Sequence, residues 1–149
     1  MPGWAKALLI TGMVIIVLVV AVIGVGVYWW SRNKDALISK GKEQIEQGQQ
    51  FGRGTDNQGC VDQAIVRYKK QKDFANAVGS NLFLSACLRT SRPTPDFCVQ
   101  VPKQTEFIKS AQWRREQCFV RELETDTYCQ QLFSSVQQFC ERPAAGSVK

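Results

Sequence analysis

The sequence predicts an all-α protein, with one N-terminal transmembrane helix followed by a small disulfide-stapled bundle of three to four antiparallel helices. Three observations carry that expectation. An apolar run from Ala7 to Trp30 contains no charged residue. From Cys60 onward apolar residues recur at helical spacing, and no stretch alternates at the period of two that a half-buried strand requires. Six cysteines, an even number, all follow the apolar run, as in small domains braced by disulfides.

The first element is "ALLITGMVIIVLVVAVIGVGVYWW". At about 1.5 Å per residue it makes a helix of roughly 36 Å, against a hydrocarbon core of about 30 Å. A cleaved signal peptide carries only about 7–15 apolar residues before a small-residue cleavage site. This run is longer and ends in Tyr28, Trp29 and Trp30. Those rings, with Trp4 at the other end, suit the two interfacial belts of a bilayer. Residues 1–30 therefore read as an uncleaved signal-anchor in the plasma (inner) membrane, with the lipid bilayer as partner to Ala7–Trp30. Gly12, Gly24 and Gly26 form no GxxxG pair, so the anchor carries no strong dimerisation signal.

Two signals oppose each other on topology. Lys6 and the amino terminus precede the apolar run, and Arg32, Lys34, Lys40 and Lys42 follow it, which by the positive-inside rule puts the bulk of the chain in the cytoplasm. The cysteines weigh the other way. A regularly spaced, even set with no His to join it in a metal site belongs in an oxidising compartment, and Asp35, Glu43 and Glu46 offset part of the charge bias. The expectation is a cytoplasmic N-terminus and a periplasmic or extracellular domain.

Residues 31–58 read as a polar juxtamembrane stalk, helical or loosely ordered, "SRNKDALISKGKEQIEQGQQ", closed by the loop "FGRGTDNQG". Only Ala36, Leu37, Ile38 and Ile45 interrupt the polarity, so no broad apolar face exists to pack. The glycines mark a turn, a boundary near Phe51 follows, and Asp56 or Asn57 is placed to cap the next helix.

The braced domain is expected over 59–142. Val61, Ala64, Ile65, Tyr68, Ala75 and Val78 recur on one face, with "YKKQK" on the wet side, and "NLFLSACL" is apolar nearly all round. The periodicity fits one long helix or two helices broken at Gly79, of which closure of the disulfide set favours the break, and "RTSRPTPDF" is a stop because Pro93 and Pro95 disfavour helix. A third helix is expected from about Thr105 to Leu123, its core face made of Phe107, Ile108, Ala111, Cys118 and Phe119. Thr125 and Asp126 cap a fourth, in which Tyr128, Cys129, Leu132, Phe133, Val136, Phe139 and Cys140 form the most regular stripe of the chain. The tail, 143–149, is expected to be disordered.

The spacing of the sulfurs favours staples. Zinc sites set Cys or His in pairs two to four residues apart, and thiol exchange wants a CxxC at a helix start; the chain has neither, and no His. No metal and no cofactor is expected. Cys118 lies about as far before a turn at Glu124 and Thr125 as Cys129 lies after it, so an antiparallel hairpin sets them side by side. The same symmetry pairs Cys87 with Cys98 across the prolines. That leaves Cys60 with Cys140, and a break at Gly79 returns Cys140 to the level of Cys60.

Without His, Ser-His-Asp and Cys-His catalysis are excluded. "GRGT" lacks the GK[ST] of a phosphate loop. Glu122, Glu124 and Asp126 cluster in "ELETD", but a turn entering a helix collects acids for capping reasons alone. No catalytic residue and no small-molecule substrate is assigned. Basic residues number 19 and acidic ones 13, yet no nucleic-acid module accompanies the excess. Trp113, Arg114 and Arg115, with Lys69 and Lys70, are the candidate interaction surface, since interfaces concentrate energy in Trp and Arg. The competing readings are burial of Trp113 against a neighbouring helix, the more frequent fate of such a residue, and a solvated helix face for the basic residues. The function read from these features is an extracytoplasmic interaction module, an accessory or scaffolding subunit of an envelope membrane complex with a membrane or envelope protein as partner. The alternatives are a membrane-tethered enzyme using Glu122, Glu124 and Asp126, and a cytoplasm-facing domain with reduced thiols.

Overall fold

A computed structural model describes the backbone of residues 3–142 and the side chains of residues 10–142. The side chain of Trp4 and the tail expected to be disordered, 143–149, lie outside the described residues. Among the described residues the protein is all-helical: α1 (Gly3–Gly54), α2 (Asn57–Lys70), α3 (Phe74–Thr90), α4 (Phe107–Phe119) and α5 (Thr127–Glu141). Two compact units divide it, one up to Ser39 and one from Lys40 onward.

In the first unit α1 presents apolar side chains from Ile10 to Trp30 to its surroundings, none of them buried. Among the described residues α1 is the one helix long and apolar enough to cross a membrane.

In the second unit α5 is central, packing on α3, on α4 and, more lightly, on α2, while α2 and α3 form an antiparallel hairpin. The core joins Val61, Ala64, Ile65 and Tyr68 of α2 to Phe83, Leu84 and Leu88 of α3 and Leu132, Phe133 and Val136 of α5. Those positions come from the periodic stripes of "VDQAIVRY", "NLFLSACL" and the fourth helix. Asp56 caps α2 by accepting from the Gly59 N–H at 2.9 Å.

Residues 31–50 are helical, one of the two forms expected of the stalk, but the loop expected from Phe51 and the boundary placed there are corrected. The helix runs unbroken through Gly54, the Gly-rich loop contracts to Thr55 and Asp56, and the compact unit begins at Lys40 instead of Phe51. The reason is close packing at glycine. Gly48 and Gly52 are buried, and a Cβ at Gly48 would overlap the Phe83 carbonyl oxygen and lie 3.0 Å from the Ala86 Cβ. A Cβ at Gly52 would stand 2.6 Å from the Cys87 carbonyl oxygen. The two glycines, four apart, form a groove one turn long into which the α3 backbone fits. Arg67 seals the edge: its guanidinium donates to the Gln44 and Gln47 side chains and lies 4.4 Å over the Phe83 ring.

The expected break at Gly79 is also corrected. Gly79 sits inside α3, and the chain reverses at Gln71–Asp73. Asp73 caps α3 by accepting from the Asn76 N–H at 2.7 Å, and the Asn76 side chain donates back to the carbonyls of Arg67, Tyr68 and Gln71. One Asp and one Asn thus satisfy both helix ends at this reversal.

All six cysteines are bridged: Cys60–Cys87, Cys98–Cys140 and Cys118–Cys129. The pairings Cys87–Cys98 and Cys60–Cys140 are corrected, and the misplaced break explains why. The symmetry rule works between antiparallel helices. With the reversal at Gln71–Asp73, Cys60 and Cys87 lie on either side of it, just as Cys118 and Cys129 flank theirs. Residues 91–106 are not helical, so the rule does not reach Cys98.

Candidate functional site

The helix α4 and the loop before it carry the features that the core does not explain. The expected core face of α4 is reversed. Phe107 is 80 % exposed, Ile108 76 % and Phe119 59 %, and Ala111 is exposed with them. Of that stripe only Cys118 is buried. Ser110, Trp113 and Gln117 turn inward instead. Trp113 meets Phe133 edge-on at a centroid distance of 5.6 Å. The Ser110 hydroxyl and the fully buried Gln137 side-chain amide exchange hydrogen bonds at 2.9 and 3.0 Å, and Gln137 Nε2 also donates to the Pro102 carbonyl. Sequence periodicity misses this because the inward face is polar: its burial is made possible by partners on α5 and on the loop, which no local pattern displays.

The residues of the candidate interaction surface are divided between helices and differ in exposure. Trp113 is half-buried against α5 and is not an exposed anchor. Arg114 is half-buried, with Nε 3.4 Å from the Ser110 carbonyl. Arg115 is exposed beside Ile108 and Phe119 on the outer face of α4. Lys69 and Lys70 lie on α2, where Lys69 pairs with Glu122 at 3.7 Å.

"ELETD" is a helix stop followed by a helix start. Glu122 adopts φ 60°, the left-handed conformation usual after a helix C-terminus. The Leu123 N–H donates to the Cys118 carbonyl and the Glu122 N–H to the Phe119 carbonyl, both at 2.9 Å, the paired bonds that satisfy the last carbonyls of α4. Leu123 plugs into the core. The Glu122 and Glu124 side chains are exposed. Asp126 turns inward, accepting from the Tyr128 and Cys129 N–H groups and from the Tyr68 hydroxyl at 2.7 and 2.9 Å. Glu122 and Glu124 therefore face solvent while Asp126 is engaged in capping α5 and in binding the Tyr68 hydroxyl.

Burial first, and then its bond to Asp126, push the Tyr68 phenol well above its ordinary range. A raised folded-state value means that this group's contribution is intact below the unfolded phenol's pKa, about 10, and is lost as pH rises above it. Urea midpoints should therefore fall above about pH 10, and Tyr68→Phe should flatten that fall. A variant keeping the full alkaline slope would assign it to other groups.

The loop of residues 91–106 forms the wall of two clefts. One, of about 610 Å³, is lined by Val61, Phe97, Trp113, Gln117, Arg121 and Phe133 among others. There Arg121 lies 5.0 Å over Phe133 and donates to the Gln117 carbonyl at 2.9 Å. Desolvation holds its pKa below the usual guanidinium value, against the opposing pull of Asp62. The other cleft, of about 930 Å³, is lined by Leu88, Arg89, Phe97, Phe139, Arg142 and the Cys98–Cys140 bridge, with further loop residues. Comparison of the chain with protein-family models, with curated proteins and with solved structures finds no match in any of the three.

Proposed function

We propose that the chain is a single-pass membrane protein whose helical domain lies on the extracytoplasmic side and works by binding, as an accessory or scaffolding subunit of an envelope membrane complex. The observation that carries the binding role is the outer face of α4. Ile108 and Phe119 are eleven residues, or three turns, apart and so share one stripe. Phe107, Ala111 and Arg115 flank them, all exposed, in a domain that closes its core elsewhere. Aromatic and aliphatic anchors beside an Arg are the composition of an interface centre. The anchor is supported by the length and apolarity of α1. The oxidising side is supported by three bridges with no free thiol.

The test is co-purification of the tagged full-length chain from its own membranes in mild detergent. Ile108→Glu combined with Phe119→Glu should weaken association by roughly 2–4 kcal/mol, about thirtyfold or more, while circular dichroism and disulfide mapping stay unchanged. Undiminished association of the folded double variant would remove α4 from the interface. In parallel, an impermeant protease added to sealed spheroplasts should digest the domain. Protection until lysis would place it in the cytoplasm and overturn the proposed topology.

A further inference from the structure

The three bridges differ in access and in what they hold. Cys60, Cys87, Cys118 and Cys129 are completely buried, and their bridges join helix to helix. Cys98 is exposed and Cys140 half-buried, and their bridge joins the last turn of α5 to the irregular loop. That loop is tied down independently at its two ends. At the start, Asn57 accepts from the Thr94 N–H at 3.0 Å and donates to the Ser91 hydroxyl, while Arg92 exchanges backbone bonds with Thr55 and Asn57. At the finish, Gln137 holds the Pro102 carbonyl, and Glu141 accepts from the Gln104 N–H. Between Pro95 and Val101 the ties to the helices among the described residues are the bridge and the half-buried Phe97, which packs against the core and meets Phe139 edge-on at 6.3 Å. The other hydrogen bonds of this stretch are local turns.

We propose that Cys98–Cys140 is a thiol–disulfide exchange site, opened by a dithiol donor of the CxxC oxidoreductase class, and that its opening releases the 95–101 wall shared by the two clefts. Exchange proceeds by attack of a thiolate along the S–S axis, so it requires access that the two core bridges lack short of local unfolding. One donor thiolate attacks Cys98 Sγ and forms a mixed disulfide, and the electron pair of the broken S–S bond leaves on Cys140 Sγ. The second donor thiolate then attacks the donor sulfur of that mixed disulfide and expels the Cys98 thiolate. The donor ends as its own disulfide, two electrons have passed to the protein, and the two donor protons reside on Cys98 and Cys140. Arg89 and Arg142 line the same cleft as the bridge, together with Asp96; the two guanidiniums outnumber the one carboxylate, a balance that favours an incoming and a departing thiolate. Once the bridge opens, the loop is held at its ends and by the packing of Phe97 alone, while the two buried bridges keep the helices in place.

The experiment uses the full-length chain in mild detergent without denaturant. Dithiothreitol is added, samples are quenched at intervals with an alkylating reagent, and the six cysteines are mapped by mass spectrometry. Cys98 and Cys140 should be labelled at least about tenfold faster than the other four, and Cys98→Ser combined with Cys140→Ser should abolish the fast phase while keeping the slow one. Labelling of all six at one rate, or of Cys60–Cys87 or Cys118–Cys129 first, overturns the exchange site. Hydrogen exchange of the partly reduced protein provides the second measurement. Amides of 96–101 should exchange at least about tenfold faster with α2, α3 and α5 still protected, and an unchanged loop overturns its release.

Discussion

Gly48→Leu is expected to destabilise the domain by about 3 kcal/mol, with Gly52→Leu close behind. Leucine in a helix is favoured over glycine by roughly 1 kcal/mol, so the substitution improves α1 as an isolated helix. The loss arises because the added side chain meets the backbone carbonyls of Phe83 and Cys87, and backbone moves only with the rest of α3. Shifting α3 would strain the Cys60–Cys87 bridge and the aromatic contact of Phe51 with Phe83, now at 5.7 Å. Gly54 is the control: a Cβ there meets nothing within 4 Å, so Gly54→Ala should be neutral or stabilising by up to about 1 kcal/mol. Urea denaturation of the full-length chain in mild detergent, followed by near-ultraviolet circular dichroism, measures all three. Equal effects at Gly48 and Gly54 would show that α1 does not dock on α3.

Asp126→Ala should cost about 3 kcal/mol through two separable losses. Removing the cap of α5 costs about 1 kcal/mol. Leaving the Tyr68 hydroxyl, on a side chain only 1 % exposed, without its acceptor adds roughly 1–3 kcal/mol. A double-mutant cycle separates them. In a Tyr68→Phe background there is no orphaned hydroxyl, so Asp126→Ala should cost only the cap, about 1 kcal/mol. Additive costs would mean that the bond between α2 and the α5 cap contributes nothing. Asp126 thus joins the two halves of the domain, a role that its place in an acidic cluster does not advertise.

How far the sequence could be read depended on the range of each interaction. The stripe of the fourth helix, the caps at Asp56 and Asp126 and the bridge Cys118–Cys129 follow from residues a turn or a hairpin apart. The cap at Asp73 was equally local: "DFAN" carries Asp three residues before Asn76. It was overshadowed by Gly79, and one misplaced reversal then displaced two disulfides. The candidate site was less legible. Trp113, off the apolar stripe of α4, reads either as an interface anchor or as buried against a neighbouring helix; it packs on Phe133, and the stripe itself faces outward.

The sequence by itself determined the helical class, the apolar anchor-length segment, the even cysteine set and most helix limits after Asn57. Each depends on composition, period or capping within one element. Tertiary structure decided what the same residues face. Glycine in "GQQFG" is consistent with a loop or with a helix pressed against another backbone, and only the approach of α3 selects the helix. Phe107, Ile108 and Phe119 are consistent with core or with surface, and the choice turned on the Ser110–Gln137 pair, whose members are 27 residues apart. Burial of a polar face requires a partner at the right place, and a helical period records spacing without recording which face finds one.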